Sequence, residues 1–154
     1  MRQVWIAIGP LGLALATCIT IAGAQGPAPG RQQGPAPARG GRGGWTLPAN
    51  AEAEKNPLTV NDAVIAAGRK VFTSKCQRCH GTAGKGDGQD ADKKHRERMD
   101  LTSAANAAEN PDGVVFYKVW NGRSSPKMPT FKNDLSKEQV WAVVAYVQTL
   151  RARQ

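Results

Sequence analysis

Cys76-Gln77-Arg78-Cys79-His80 places three reactive side chains within five residues. Two thiols three positions apart with a histidine directly after the second is the spacing that covalent attachment of a c-type haem requires. Each thiol adds to one vinyl group of the ring, and the histidine beside them offers a neutral imidazole nitrogen to the iron as proximal ligand. One short segment would then bind a cofactor covalently and fill half of its axial coordination. A Cys-x-x-Cys pair also serves redox dithiols and zinc sites, but structural zinc usually takes four ligands. The only other Cys and His residues in the chain are Cys18 and His95, which makes haem the preferred reading over zinc or a dithiol.

The sixth ligand decides what such an iron does. With one protein ligand it is open to oxygen or peroxide, and with two it is a closed electron-transfer centre. Candidates are Met128, Met99, His95 and Lys or Asn side chains. In Pro126-Lys127-Met128-Pro129 the two prolines rule out both a helix and a central strand. Met128 is therefore presented from a stiff loop, which lowers the entropic cost of holding a weak thioether on iron. His95 lies within the charged run Lys93 to Arg98 and reads as a solvated surface histidine, and Met99 reads as a packing residue beneath it. His80 and Met128 are the expected axial pair. No constellation for a general base or nucleophile is evident, so an electron carrier is expected rather than an enzyme. An open-site haem sensor or peroxidase is the rival if Met128 does not bind.

The elements that must position these residues are helical. Asn61-Asp62 supplies N-cap chemistry, and Val64, Ile65, Gly68, Val71 and Phe72 recur on one face of a helix that runs into the Cys76 to His80 site. Gly81 to Gly88 holds four glycines in eight residues and must be a loop. It lacks the strand before and the Gly-Lys-Ser/Thr after that a phosphate-binding loop needs, so its expected task is to turn the chain around the haem edge. Asn110-Pro111-Asp112 predicts a helix start with Asn110 as N-cap, and Asn121-Gly122 its end. Ser136 with Gln139 forms a capping-box pattern ahead of an apolar stripe from Val140 to Leu150. Three main helices and a short fourth in the 90–98 region are expected, with no strand pattern. Trp120, Arg123 and Trp141 either cover the haem or, for the two Trp residues, simply pack in the core.

The chain has 154 residues and a formal charge of +9. Residues 1–24 read as a targeting segment, with Arg2 at the start, an uncharged run, and Ala22-Gly23-Ala24 as a small-residue cleavage site. Two alternatives stay open. The run from Gln3 to Gln25 is about as long as the ~20 residues that span a bilayer, and Leu15 to Cys18 resembles a lipobox with Cys18 as the lipidated residue. Each version predicts export, to a bacterial periplasm, either soluble or tethered to the inner membrane. Export also makes a Cys pair unremarkable in an oxidising compartment. Residues 25–55 form a linker dominated in its first part by Gly, Pro, Ala and Arg, with Gln-Gly-Pro-Ala-Pro at Gln25 and again at Gln33. Residues 56–154 form the domain. All 12 acidic and 17 of the 21 basic residues lie after position 50, which leaves the folded part at +5. No basic helix with interleaved aromatics argues for nucleic acid, and acidic patches on redox partner proteins are the better match for this charge.

From about Val64 to Leu150 the chain resembles a class I cytochrome c domain. The matching residues are Gly68 with Phe72, Cys76 to Gly81, Gly84-Lys85-Gly86-Asp87-Gly88, Asp100-Leu101-Thr102, Lys127-Met128-Pro129, and a closing helix with Trp141 and Tyr146. The resemblance implies an all-α cytochrome c fold around one haem c, Cys76 and Cys79 in thioether bonds, and His80 and Met128 as axial ligands. It also implies that the first and last helices cross, with Gly68 allowing close approach and Phe72 meeting Val143 and Tyr146. The segment from Gly88 to Asp100 departs from the common pattern, since Arg98-Met99 stands where a proline often precedes the Asp-Leu pair. The expected function is outer-sphere electron transfer between exported or membrane-bound partners, as a free carrier or as a haem subunit of a dehydrogenase or oxidase.

Overall fold

A computed structural model of the chain describes residues 39–41 and 43–153, all within one unit spanning residues 33–154. The targeting segment 1–24, its anchor and Cys18 lipidation alternatives, and the linker as far as residue 38 lie outside the described residues.

Helix α1 spans Asp62–Val71. Asn61 is extended, and its side-chain oxygen accepts from the Val64 amide at 3.0 Å, satisfying one of the unpaired first-turn donors. The chain stays helical beyond α1 through a π-helical turn, Phe72–Cys76, into the short helix α2, Gln77–His80. The wide turn was not expected, since no residue type announces it. Such single turns recur at functional sites, and this one ends on Cys76.

Helix α6, Lys137–Arg151, begins with the capping box its sequence predicts. Ser136 Oγ accepts from the Gln139 amide at 3.1 Å, and Gln139 Oε1 accepts from the Ser136 amide at 2.9 Å. α1 and α6 pack on each other, with Phe72 and Tyr146 at 5.2 Å between ring centroids. Phe72 is 1% exposed and clusters with Val143, Tyr146, Val147 and Leu150. Burying a side chain of this size contributes about 1.5–3 kcal/mol, so this crossing anchors the segment that leads into Cys76 to His80. A second cluster joins α6 to α5, Asp112–Asn121, through Val115, Phe116, Val119, Val140, Trp141 and Val144.

The start of α5 differs from expectation. Pro111 is the N-cap and provides no side-chain cap, while Asn110 ends α4, Ala104–Glu109, and accepts from Lys118 Nζ. The difference comes from α4, which Ser103 caps at 3.4 Å and whose Ala-rich run has no apolar period to mark it in the sequence. The short fourth helix is present as α3, Arg96–Met99, after a 3-10 turn at Lys93–His95.

The fold is all-α, with one accessory antiparallel ribbon of β1, Arg39–Gly41, and β2, Trp45–Leu47, in which Gly41 faces Trp45. Composition assigns residues 25–55 to a linker, yet the last part of that segment lies against the helices. Trp45 is 8% exposed and Ala51 2%. Gly113 donates its amide to the Glu54 carbonyl at 3.2 Å, Tyr117 its hydroxyl to Glu54 Oε2 at 2.9 Å, and Asn56 Nδ2 to the Trp141 carbonyl at 3.0 Å. Gly113 makes this approach available, since a Cβ there would lie 2.2 Å from the Ala51 carbonyl oxygen.

Candidate haem site

Cys76 closes the π-helical turn, and α2 carries Cys79 and His80. Residues three apart on a helical turn share a side, so the two thiols are neighbours. Burial first, and then proximity to Cys79, pushes the Cys76 thiol up to about 12. A reactive dithiol depends on the opposite shift, toward thiolate. The Cys79 thiol is turned to the Asp90 carbonyl at 3.7 Å. Among the described residues no group of three or more His, Cys, Asp and Glu side chains could hold a metal ion.

His80 is oriented from outside its own helix. Its Nδ1 lies 2.9 Å from the Met99 carbonyl oxygen. A carbonyl only accepts, so Nδ1 carries the proton and Nε2 keeps its lone pair. Burial lowers the His80 pKa, against an upward contribution from the Met99 bond, and the neutral ring is the form that binds metal. The Met99 carbonyl is put in place by the glycine loop. Lys85 pairs with Asp100 in an isolated bridge, the Leu101 amide donates to the Gly84 carbonyl at 2.7 Å, and the Gly86 amide donates to the His80 carbonyl at 2.8 Å. Gly86 has φ +69°, and a Cβ there would fall 2.6 Å from the Arg96 carbonyl oxygen, so only glycine meets both demands. Asp100 then fixes the following turn, accepting from the Thr102 hydroxyl and from the Thr102 and Ser103 amides at 2.7–3.2 Å.

Met128 comes from a loop returning against the end of α5. Its backbone N–H and C=O both pair with Arg123, each at 2.9 Å. Gly122 has φ +63°, and a Cβ there would lie 2.6 Å from the Met128 carbonyl oxygen. Thr130 Oγ1 donates to the Trp120 carbonyl at 2.7 Å and closes the loop's far side. Met128 is half-buried and packs beside the α5–α6 cluster.

These elements enclose a cavity of about 490 Å³ lined by Cys76, His80 and Met128, within the ~300–1,000 Å³ range of ordinary cofactor sites. Its walls carry apolar and charged groups, the latter including the carboxyls of Asp100 and Glu109. Phe72, Leu101, Val115, Val119, Val143 and Val147 make an apolar side, while Arg98, Lys118, Arg123 and Arg151 bring four cations. Among the described residues none of those four forms a salt bridge. Burial and then the neighbouring Arg123 push the Lys118 pKa down to about 8. A haem has the same two faces, an apolar macrocycle and two carboxylates, and its edge would pair with these cations. The residues present therefore fit the group.

The other sequence candidates fall elsewhere. His95 does not line the cavity and pairs with Asp92 at 2.8 Å. Met99 contributes its carbonyl and not its side chain. Trp141 and Trp120 stack on Phe116 at 4.3 and 5.9 Å in the core, so packing accounts for both, whereas Arg123 lines the cavity. Trp45, Lys118 and Arg151 were not singled out beforehand. Each is one residue in an unremarkable local sequence, and only the fold brings them together.

The family profile described as Cytochrome c matches residues 65–151. The chain is 38% identical over 85 residues to cytochrome c6 of Leptolyngbya boryana, covering 55% of this chain and 91% of that protein. It is 35% identical over 85 residues to cytochrome c6 of a Synechococcus species, covering 55% and 69%. Among solved structures, a chain of a reducing HAO-like protein complex of Kuenenia stuttgartiensis superposes with a TM-score of 0.51 at 25% identity, over 63% of this chain and 49%, about half, of that one. By the profile match over more than half its length and by these relatives, the chain belongs to the cytochrome c family, as a mono-haem electron-transfer protein with covalently bound haem c.

Proposed function

We propose that Cys76 and Cys79 form the two thioether bonds, that His80 Nε2 and Met128 Sδ are the axial ligands, and that the protein carries electrons between exported redox partners. The observation that carries this is the meeting of Cys76, His80 and Met128 on one cavity with His80 Nδ1 held by the Met99 carbonyl. Bound haem supplies a one-electron Fe(III)/Fe(II) couple. The residues of the chain do the rest. Met99 keeps the imidazole in one tautomer, the apolar wall would keep water from the bound group, and a Met128 thioether together with His80 would favour its reduced state relative to harder ligand sets. No side chain is needed as acid, base or nucleophile.

The location we infer is a bacterial periplasm, with residues 1–24 either removed or retained as an inner-membrane anchor, and with the linker ending near Trp45, where packing on α5 begins. Among the described residues no helix is long and apolar enough to cross a membrane. Partners would present acidic patches to the +5 charge carried after residue 50. The likeness to one chain of a multi-chain complex favours a second reading, a haem subunit that passes electrons within an assembly.

Haem staining after denaturing electrophoresis tests the attachment: a stained band is expected in wild type, and an unstained one ends the proposal. The oxidised wild-type protein should show the weak far-red band of a thioether-ligated iron, and Met128→Ala should lose it. Absence of the band in wild type would remove Met128 as ligand. N-terminal sequencing that begins at Gln25 would exclude the retained anchor.

A further inference from the structure

The loop presenting Met128 is braced by a segment that precedes the matched family domain. Arg123, whose backbone pairs with Met128 on both sides, also donates Nε to the Pro126 carbonyl at 2.8 Å, so it holds the turn from within. Another of its donors reaches outward: Nη1 donates to the Gly43 carbonyl at 2.9 Å, and the guanidinium carbon sits 4.2 Å from the centroid of the Trp45 ring. Lys118 Nζ lies 5.0 Å from the same ring. Asn121 Nδ2 adds a bond to the Thr46 carbonyl at 2.8 Å. Trp45 is buried and lines the cavity, and it stands twenty residues before the family match begins at Ile65.

A thioether is a weak iron ligand, so its hold depends on how firmly its loop is kept in place. Arg123 touches both the loop and the strap, residues 43–47, and Gly44 of the strap lies beside Ser125, where a Cβ would fall 3.6 Å from the Ser125 carbonyl oxygen. We propose that Trp45 is a positioning residue for the sixth ligand: by gripping Arg123 from outside, the 43–47 strap keeps the Met128 loop closed and shuts that edge of the cavity to competing small ligands. The proposal rests on Met128 as axial ligand. Removing the aromatic face frees the Arg123 side chain, the loop opens more often, and an exogenous ligand finds the iron sooner.

The test uses ferric holoprotein and imidazole as the probe, with the association rate read by stopped flow and the far-red band recorded for each variant. Trp45→Ala should bind imidazole roughly 2- to 30-fold faster than wild type, the range that loss of one cation–π contact allows, with a weaker band. Trp45→Phe, which keeps an aromatic face, should stay near wild type, and Trp45→Leu, which keeps bulk without that face, should behave like Trp45→Ala. Wild-type rates in Trp45→Ala, or a Leu variant as slow as the Phe variant, would overturn the clamp while the band remains. A wild type that lacks the band and binds imidazole as fast as Met128→Ala would instead overturn the axial assignment itself.

Discussion

Gly68 of α1 stands against Ala142 of α6 so closely that a Cβ at residue 68 would lie 2.0 Å from the Ala142 carbonyl oxygen and 3.0 Å from Tyr146 Cβ. Backbone cannot yield there without separating the two helices, and one turn later Phe72 would leave its place beside Tyr146 and Val143. Gly68→Ala gains helix propensity of about 1 kcal/mol yet should lose more through overpacking, which costs about 1–3 kcal/mol and sometimes more. Urea unfolding of the holoprotein followed by circular dichroism should give a lower midpoint. An unchanged or raised midpoint would mean the helices can slide apart at little cost.

The α1–α6 crossing is what the family resemblance implies, with only a glycine and a phenylalanine four residues on as its local mark, whereas the Cys76 to His80 turn, the Ser136 cap and the proline-braced Met128 are legible in the sequence itself. Each depends on residues within one or two turns of one another. The rest depends on meetings that no spacing records. Arg98, Lys118, Arg123 and Arg151 come to one cavity from four elements, and Trp45 is a single aromatic after a Gly- and Arg-rich stretch. Asn110 carries a cap signature but sits between two helices, where it closes α4 and receives Lys118 instead. The π-helical turn Phe72–Cys76 begins at a residue packed against α6, and no residue preference in the sequence marks it.

The capping box at Ser136 makes two reciprocal bonds on the exposed start of α6. Ser136→Ala removes the acceptor for the Gln139 amide while leaving the core face of α6 untouched. The expected loss is about 0.5–2 kcal/mol, seen as a lower denaturation midpoint with an unaltered haem spectrum. A spectral change at full stability would assign Ser136 a role beyond capping.

Asp100 gives the site an acid sensitivity. Burial alone would raise its carboxyl, but the bonds from the Thr102 hydroxyl and the Thr102 and Ser103 amides, with Lys85 nearby, hold it below the usual carboxylate range. Its folded pKa therefore lies under the unfolded value of about 3.9. In that window the unfolded chain binds more protons, so the contribution is complete above about pH 4 and is lost as pH falls through the folded pKa. Asp100→Asn should be less stable than wild type at pH 6, and its stability should decline less between pH 5 and pH 2. Parallel curves would show that other carboxylates carry the acid transition.

Lys118 is the cation most affected by its surroundings, with its pKa pushed down to about 8 by burial, then by Arg123 and Arg151 and against Glu109. An unfolded lysine titrates near about 10.4, so between these values the unfolded chain binds more protons. By the same linkage, the cost of charging Lys118 in the fold is fully present below pH 8 and is relieved as pH rises toward the unfolded value. The charge also acts on the redox couple, because a cation on the wall of the His80 cavity repels the extra positive charge of the oxidised iron. Lys118→Met keeps the stem and removes the charge, so the midpoint potential at pH 7 should fall. Potentiometric titration at pH 7 checks this, and equal midpoints for the two proteins would remove Lys118 from the tuning of the couple.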